Sequence, residues 1–143
     1  MSTNVLSAKQ IKRDWHLIDA KNKILGRLAV EIANKLSGKS KVNYVPYLDN
    51  GDFVVVTNAK NIKLTGKKVQ QKTYYSHSGY PGGLRVEGFE KLINRRPEEV
   101  IRHAVLGMIP RSKLGKSMIV RLKIFAGNEH SYARNFQKEE VSA

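Results

Sequence analysis

The sequence predicts an α/β domain whose strands pair in parallel, with helices on both faces. Three observations carry this. Phe53-Val54-Val55-Val56-Thr57 is a continuous, largely β-branched run, the pattern of a strand covered on both sides. Leu25, Leu28, Ala29, Ile32, Ala33 and Leu36 recur at helical spacing and mark one apolar helix face. The order is strand, helix, strand, helices, strand, and strands joined by helical crossovers usually pair in parallel.

Taken in order, Asp14 to Asp19 reads as the first strand, with Trp15 as a core residue. The helix follows, with Glu31 and Lys35 paired on its outer side and Gly38 as its C-terminal stop. Lys39 to Asp52 is a loop containing Pro46 and the turn signal Asn50-Gly51, and Phe53 to Thr57 is the second strand. Val69 to Ser76 is polar and aromatic and reads as a protruding strand or hairpin arm, and Ser78 to Gly83 is a loop dominated by Gly and Pro. Phe89, Leu92 and Ile93 suggest a short helix. Pro97 with Glu98 and Glu99 starts another, which Val100, Ile101, Ala104, Val105 and Met108 continue and Pro110 ends. Lys113 to Val120 reads as a helix and Leu122 to Ala126 as the last strand. The 143 residues thus form one domain: residues 1–13 a flexible basic N-terminal tail, 14–127 a single α/β nucleic-acid-binding domain, 128–143 a loosely held polar C-terminal tail.

Composition narrows the chemistry. There is no cysteine, which removes disulfides, zinc–thiolate sites and cysteine nucleophiles. No apolar run approaches the roughly 20 residues of a membrane span. The first residues carry Ser2, Thr3 and Ser7 without acid. They read as a polar tail of a cytoplasmic protein, with an organellar presequence as the lesser alternative.

The formal net charge is +14, from 26 Lys and Arg against 12 Asp and Glu. Confining it in one small domain favours a polyanionic partner. Residues 53–86 contain no acid but hold Lys60, Lys63, Lys67, Lys68, Lys72 and Arg85. Residues 100–128 again contain none but hold Arg102, Arg111, Lys113, Lys116, Arg121 and Lys123. Lys39 and Lys41 lie in a third such stretch. A solvated surface usually mixes both signs, so nucleic acid is the expected partner. A membrane surface is not, because no long basic amphipathic helix appears.

Ala33 to Ser40 fits a loose phosphate-binding loop, a small residue followed by Gly38-Lys39-Ser40. Such a loop must open a helix, so that N–H groups meet the phosphates, whereas here it would close one. Lys39 and Lys41 read better as contacts to a nucleic-acid backbone. The four histidines show no ligand spacing, and His77 points away from Ser76 and Ser78 in an extended chain. No metal, cofactor or small-molecule substrate is therefore expected. Asp19, Asp49 and Asp52 are the remaining candidates for paired catalytic carboxylates. Thr65 to Arg85 interleaves cations with rings: Lys67, Lys68, Lys72, Tyr74, Tyr75, His77, Tyr80 and Arg85. Cations neutralise phosphates, and rings stack on unpaired bases. Ser78, Gly79, Gly82 and Gly83 let the backbone approach a sugar-phosphate chain, and Arg95, Arg96, Arg111, Lys113 and Lys116 are further backbone contacts.

These segments, in this order, resemble the bacterial large-subunit ribosomal protein thirteen family. The matching stretches include Leu25-Gly26-Arg27-Leu28-Ala29, Leu36-Ser37-Gly38-Lys39, Asp49-Asn50-Gly51-Asp52 and Leu64-Thr65-Gly66-Lys67-Lys68. More specific are His77-Ser78-Gly79-Tyr80-Pro81-Gly82-Gly83, Arg95-Arg96-Pro97-Glu98, the run from Ala104 to Pro110, and Gly127-Asn128-Glu129-His130. The resemblance implies a three-layer α/β/α fold with a mainly parallel central sheet, here of about four strands. It also implies a non-enzymatic monomer of the large ribosomal subunit, binding 23S-type rRNA early in assembly beside other ribosomal proteins. By position, the basic loops of the family fall on Lys39, Lys41, Lys67, Lys68, Lys72, Arg95, Arg96, Arg111, Lys113 and Lys116, and its glycine-rich RNA-facing loop on His77 to Gly83. The chain departs from the family where Tyr132, Arg134 and Phe136 replace the usual His, Gln and Pro. The rival functions are a general nucleic-acid binder off the ribosome and an NTP-binding protein using Gly38-Lys39-Ser40.

Overall fold

The apolar run at Phe53–Thr57 forms the central strand of a three-stranded parallel sheet. The computed structural model describes residues 7–136. Strand β1 (Trp15–Asp19) leads into helix α1 (Leu25–Ser37), and β2 (Phe53–Thr57) pairs with β1 in parallel, Trp15 opposite Phe53. A one-turn helix α2 (Lys68–Gln71) precedes a hairpin of β3 (Thr73–His77) and β4 (Leu84–Gly88). Helices α3 (Phe89–Arg95), α4 (Pro97–Leu106) and α5 (Lys113–Val120) follow, and β5 (Leu122–Ile124) returns to pair with β2. The sheet order is β1-β2-β5.

Paired residues in a sheet share a face, so the register sorts the side chains. His16, Ile18, Val54, Val56, Leu122 and Ile124 lie on one face. Ile18, Val54, Val56 and Leu122 join the core with Leu28, Ile32 and Leu36 of α1 and Val100, Ile101 and Val105 of α4. Each fully buried Leu or Ile contributes about 1.5–3 kcal/mol relative to exposure. On the opposite face Trp15 stacks on Phe53 with ring centroids 4.4 Å apart, and Tyr132 stacks on Trp15 at 5.3 Å. Phe136 meets Trp15 edge-on, Phe125 contacts Tyr132, and residues 133–136 are helical. The third layer is therefore the aromatic C-terminal segment. The tail expected to hang loose from residue 128 is packed at His130, Tyr132 and Phe136; residues 137–143 lie outside the described residues, as do residues 1–6.

Three expectations about elements need correction. The sheet has three strands rather than about four, because the arm expected at 69–76 pairs with its own neighbour, β4, and forms a separate sheet. The arm opens with the helical turn α2. Helix α4 stops at Leu106 rather than running on toward Pro110, because Gly107 interrupts the apolar run first.

Candidate nucleic-acid interface

The carbonyls of Asn34, Lys35 and Leu36 at the end of helix α1 are all occupied. The Gly38 N–H bonds to the Lys35 carbonyl at 3.3 Å and the Lys39 N–H to Asn34 at 3.1 Å, with Gly38 at φ 77°. The Asp52 N–H also reaches the Lys35 carbonyl, and Arg121 donates to the Leu36 carbonyl at 3.1 Å. The Gly38-Lys39-Ser40 segment thus lies at the carboxyl end of a helix, the wrong end for phosphate.

The same corner consumes several acids. Arg121 forms an ion pair with Asp49 and donates to the backbone carbonyls of Asp52 and Ser117. Arg13 adds hydrogen bonds to the carbonyls of Asp49 and Gly51. Asp52, 2% exposed, accepts from Lys41, from His16 Nε2 at 2.9 Å and from the Asp14 N–H at 3.1 Å. Burial alone would raise the Asp52 pKa, but these donors and the Lys41 charge outweigh it and hold it below the ordinary value. Asp19 accepts from Asn58 and the Lys21 N–H, which lowers its pKa too. Asp49 and Asp52 are bound to cations of the fold, which leaves no free carboxylate pair at this corner. Among the described residues, no three His, Asp or Glu side chains come together as a metal set.

Four of the predicted contacts have partners within the fold. Arg121 is 6% exposed, and its guanidinium is spent on Asp49 and the end of α1, so it belongs to the interior. Lys41 is held by Asp52 and the Lys12 carbonyl. Arg95 pairs with Glu87 at 2.7 Å and Arg96 with Glu99 at 3.4 Å, both at the surface.

The other cations divide into two clusters. Lys39 lines a small cavity with Pro110 and Ser112, and the same two residues help line a larger one, of about 440 Å³, with Arg111 and Lys116. The end of α1 and the α4–α5 corner are therefore contiguous, with Lys39, Arg111, Lys113 and Lys116 all exposed. The second cluster surrounds the hairpin, where Lys67, Lys68 and Arg85 are exposed and Lys72 lies over the Tyr74 ring at 5.2 Å. Among the described residues, none of Lys39, Lys67, Lys68, Arg85, Arg111, Lys113 and Lys116 forms an ion pair.

The hairpin tip is a built turn. The Gly83 N–H bonds to the Tyr80 carbonyl at 2.9 Å, with Pro81 and Gly82 (φ 71°) between them, the pattern of a type II turn. Gly79 at φ 89° places its N–H on His77 Nδ1 at 2.9 Å. Two of the tip glycines thus serve conformation first. Strand pairing puts Tyr75, His77, Leu84 and Val86 on one face, where all four are exposed, and Tyr80 projects 75% exposed from the tip. Tyr74 lies on the other face, packed against the core with its hydroxyl buried. Burial raises its pKa, and its ring faces His103 rather than solvent. The stacking candidates are Tyr75 and Tyr80, not Tyr74.

Sequence reasoning missed His103 and Leu106, which line the larger cavity. The signal was present: Leu106 falls off the apolar helix face marked by Val100, Ile101, Ala104 and Val105, and it is 49% exposed.

Comparison with known proteins identifies the family. The "Large ribosomal subunit protein uL13" of Nitratidesulfovibrio vulgaris is 52% identical over 93% of this chain and 92% of its own length. Its namesake in Idiomarina loihiensis is 50% identical over 97% and 98%, and that of Roseiflexus castenholzii 51% identical over 93% and 91%. The family profile described as ribosomal protein L13 matches residues 13–131, which span β1, both cationic clusters and the first part of the aromatic segment, so the chain belongs to the ribosomal protein L13 family.

Proposed function

We propose that this protein is a structural, non-catalytic component of the large ribosomal subunit, acting as a monomer in the cytoplasmic ribosome. It binds large-subunit rRNA through its cationic loops and helps to fold it early in assembly, beside neighbouring ribosomal proteins. The observation that carries the reading is the division of charge. The acids near the loops are spent on Arg121, Lys41, Arg95 and Arg96, while seven exposed cations in two clusters have no acidic partner among the described residues. A rigid α/β body with two such clusters neutralises phosphates where RNA segments converge, and the exposed Tyr75 and Tyr80 offer rings to unpaired bases. Specificity comes from RNA shape and single-stranded features, since side chains do not reach into the deep A-form groove.

Sucrose-gradient sedimentation of a native lysate tests this, before and after a high-salt wash. Co-sedimentation with large subunits that survives the wash is expected. Migration as free protein at low salt would refute the ribosomal role, and equal affinity for duplex DNA and rRNA at one ionic strength would replace it with general nucleic-acid binding.

A further inference from the structure

The cavity at the α4–α5 corner combines features that a plain phosphate-contact surface does not need. Buried Ile109 and Gly115 form its base, and Leu106 and Pro110, both exposed, give it apolar walls. Arg111 and Lys116 line it as well, and no acid does. Its volume, about 440 Å³, lies within the range of small-molecule pockets, about 300–1,000 Å³. The concavity is fixed by the backbone: a Cβ at Gly115 would overlap the Pro110 carbonyl oxygen, and the Gly115 N–H is held by the Ser112 hydroxyl at 3.3 Å. Only glycine lets the first turn of α5 close this tightly on Pro110, in the loop between α4 and α5.

We propose that this cavity receives one unstacked nucleobase of the bound RNA, with its flanking phosphates on Arg111 and Lys116. The inference rests on the RNA-binding reading and adds a specific subsite to it. An apolar slot suits the face of a base, and an acid-free cationic border suits the phosphates that accompany it and disfavours an acidic peptide.

Binding of purified protein to large-subunit rRNA, measured across salt concentrations, separates the two kinds of contact. Leu106→Ala removes an apolar wall from a half-exposed helix end. Its affinity is expected to fall about fivefold, the low end for a lost base contact, with the salt slope unchanged. Lys116→Ala is expected to reduce the slope by about 0.7. Affinity of Leu106→Ala within twofold of the unmodified protein, with circular dichroism unchanged, would overturn the subsite while leaving RNA binding intact. Failure of the unmodified protein to bind rRNA would overturn the RNA reading itself. In assembled subunits, p-benzoylphenylalanine placed at Leu106 is expected to crosslink to one rRNA nucleotide. Crosslinks only to protein, or scattered over many nucleotides, would overturn the proposal.

Discussion

Arg121 shows what a charge does when its neighbours, rather than its type, decide its role. It comes from the second acid-free stretch, and composition alone ranks it with Arg111 and Lys116. Its guanidinium instead closes α1, grips Asp49 and reaches the Asp52 carbonyl. Arg121→Met would leave Asp49 and the Leu36 carbonyl without this donor. It is expected to cost about 3–5 kcal/mol, read as a lower urea midpoint, with the salt slope of RNA binding unchanged. Asp52 makes a second prediction. Its folded pKa lies below the ordinary value, near 3.9, so the stability it adds is present above that pH and is lost as pH falls through the depressed folded value. Thermal melts of Asp52→Asn should therefore lose part of the acid-induced drop below about pH 4, the remainder resting with Asp19 and other acids. Neither role was legible in the sequence, because each partner pair is brought together by folding: Arg121 and Asp49 are 72 residues apart.

At the scale of elements, the sequence was most legible where periodicity was strong. Helix α1 and strand β2 follow from the spacing of Leu25 to Leu36 and the run of valines, and Gly38 stops the helix as its neighbours suggested. The hairpin was half legible: the arm and its Gly-Pro loop were readable, but β4 was missed although Leu84-Arg85-Val86-Glu87 alternates. The arm's pairing was hidden because a strand's sequence does not say which edge it will join, whereas the tight Tyr80-to-Gly83 turn makes the local partner the available one. Two glycines separate the elements experimentally. A Cβ at Gly51 would overlap the Leu36 carbonyl oxygen, with Arg121 also close. Gly51→Ala should therefore loosen the whole α1–β2 junction, at about 1–3 kcal/mol or more in urea unfolding. Gly82, at φ 71°, has nothing within 4 Å of a Cβ. Gly82→Ala should cost only the local strain, about 1–2 kcal/mol, and speed amide exchange in β3 and β4 more than in β2.

Over the whole molecule, the acids neutralise interior and flanking cations, and two clusters of exposed cations carry no ion pair among the described residues, with further such cations at Lys60, Lys63 and Arg102. If the seven cations named in these clusters each meet a phosphate, the log–log salt slope of rRNA binding should be about −5 to −6. A slope near −1 would show that most of them face solvent in the complex. The clusters were readable as acid-free stretches, but their membership was not, since exposure and pairing are properties of the fold. The first strand has a partner of a different kind. Trp15 emerges from the ribosome near the start of synthesis, while Tyr132 and Phe136, which cover it, emerge near the end. At about 5–20 residues per second, the 117 residues between Trp15 and Tyr132 take about 6–23 seconds to make. Until then the Trp15 and Phe53 rings lack the cover that Tyr132 and Phe136 give Trp15 in the folded chain, so the nascent β1–β2 pair carries an open aromatic face.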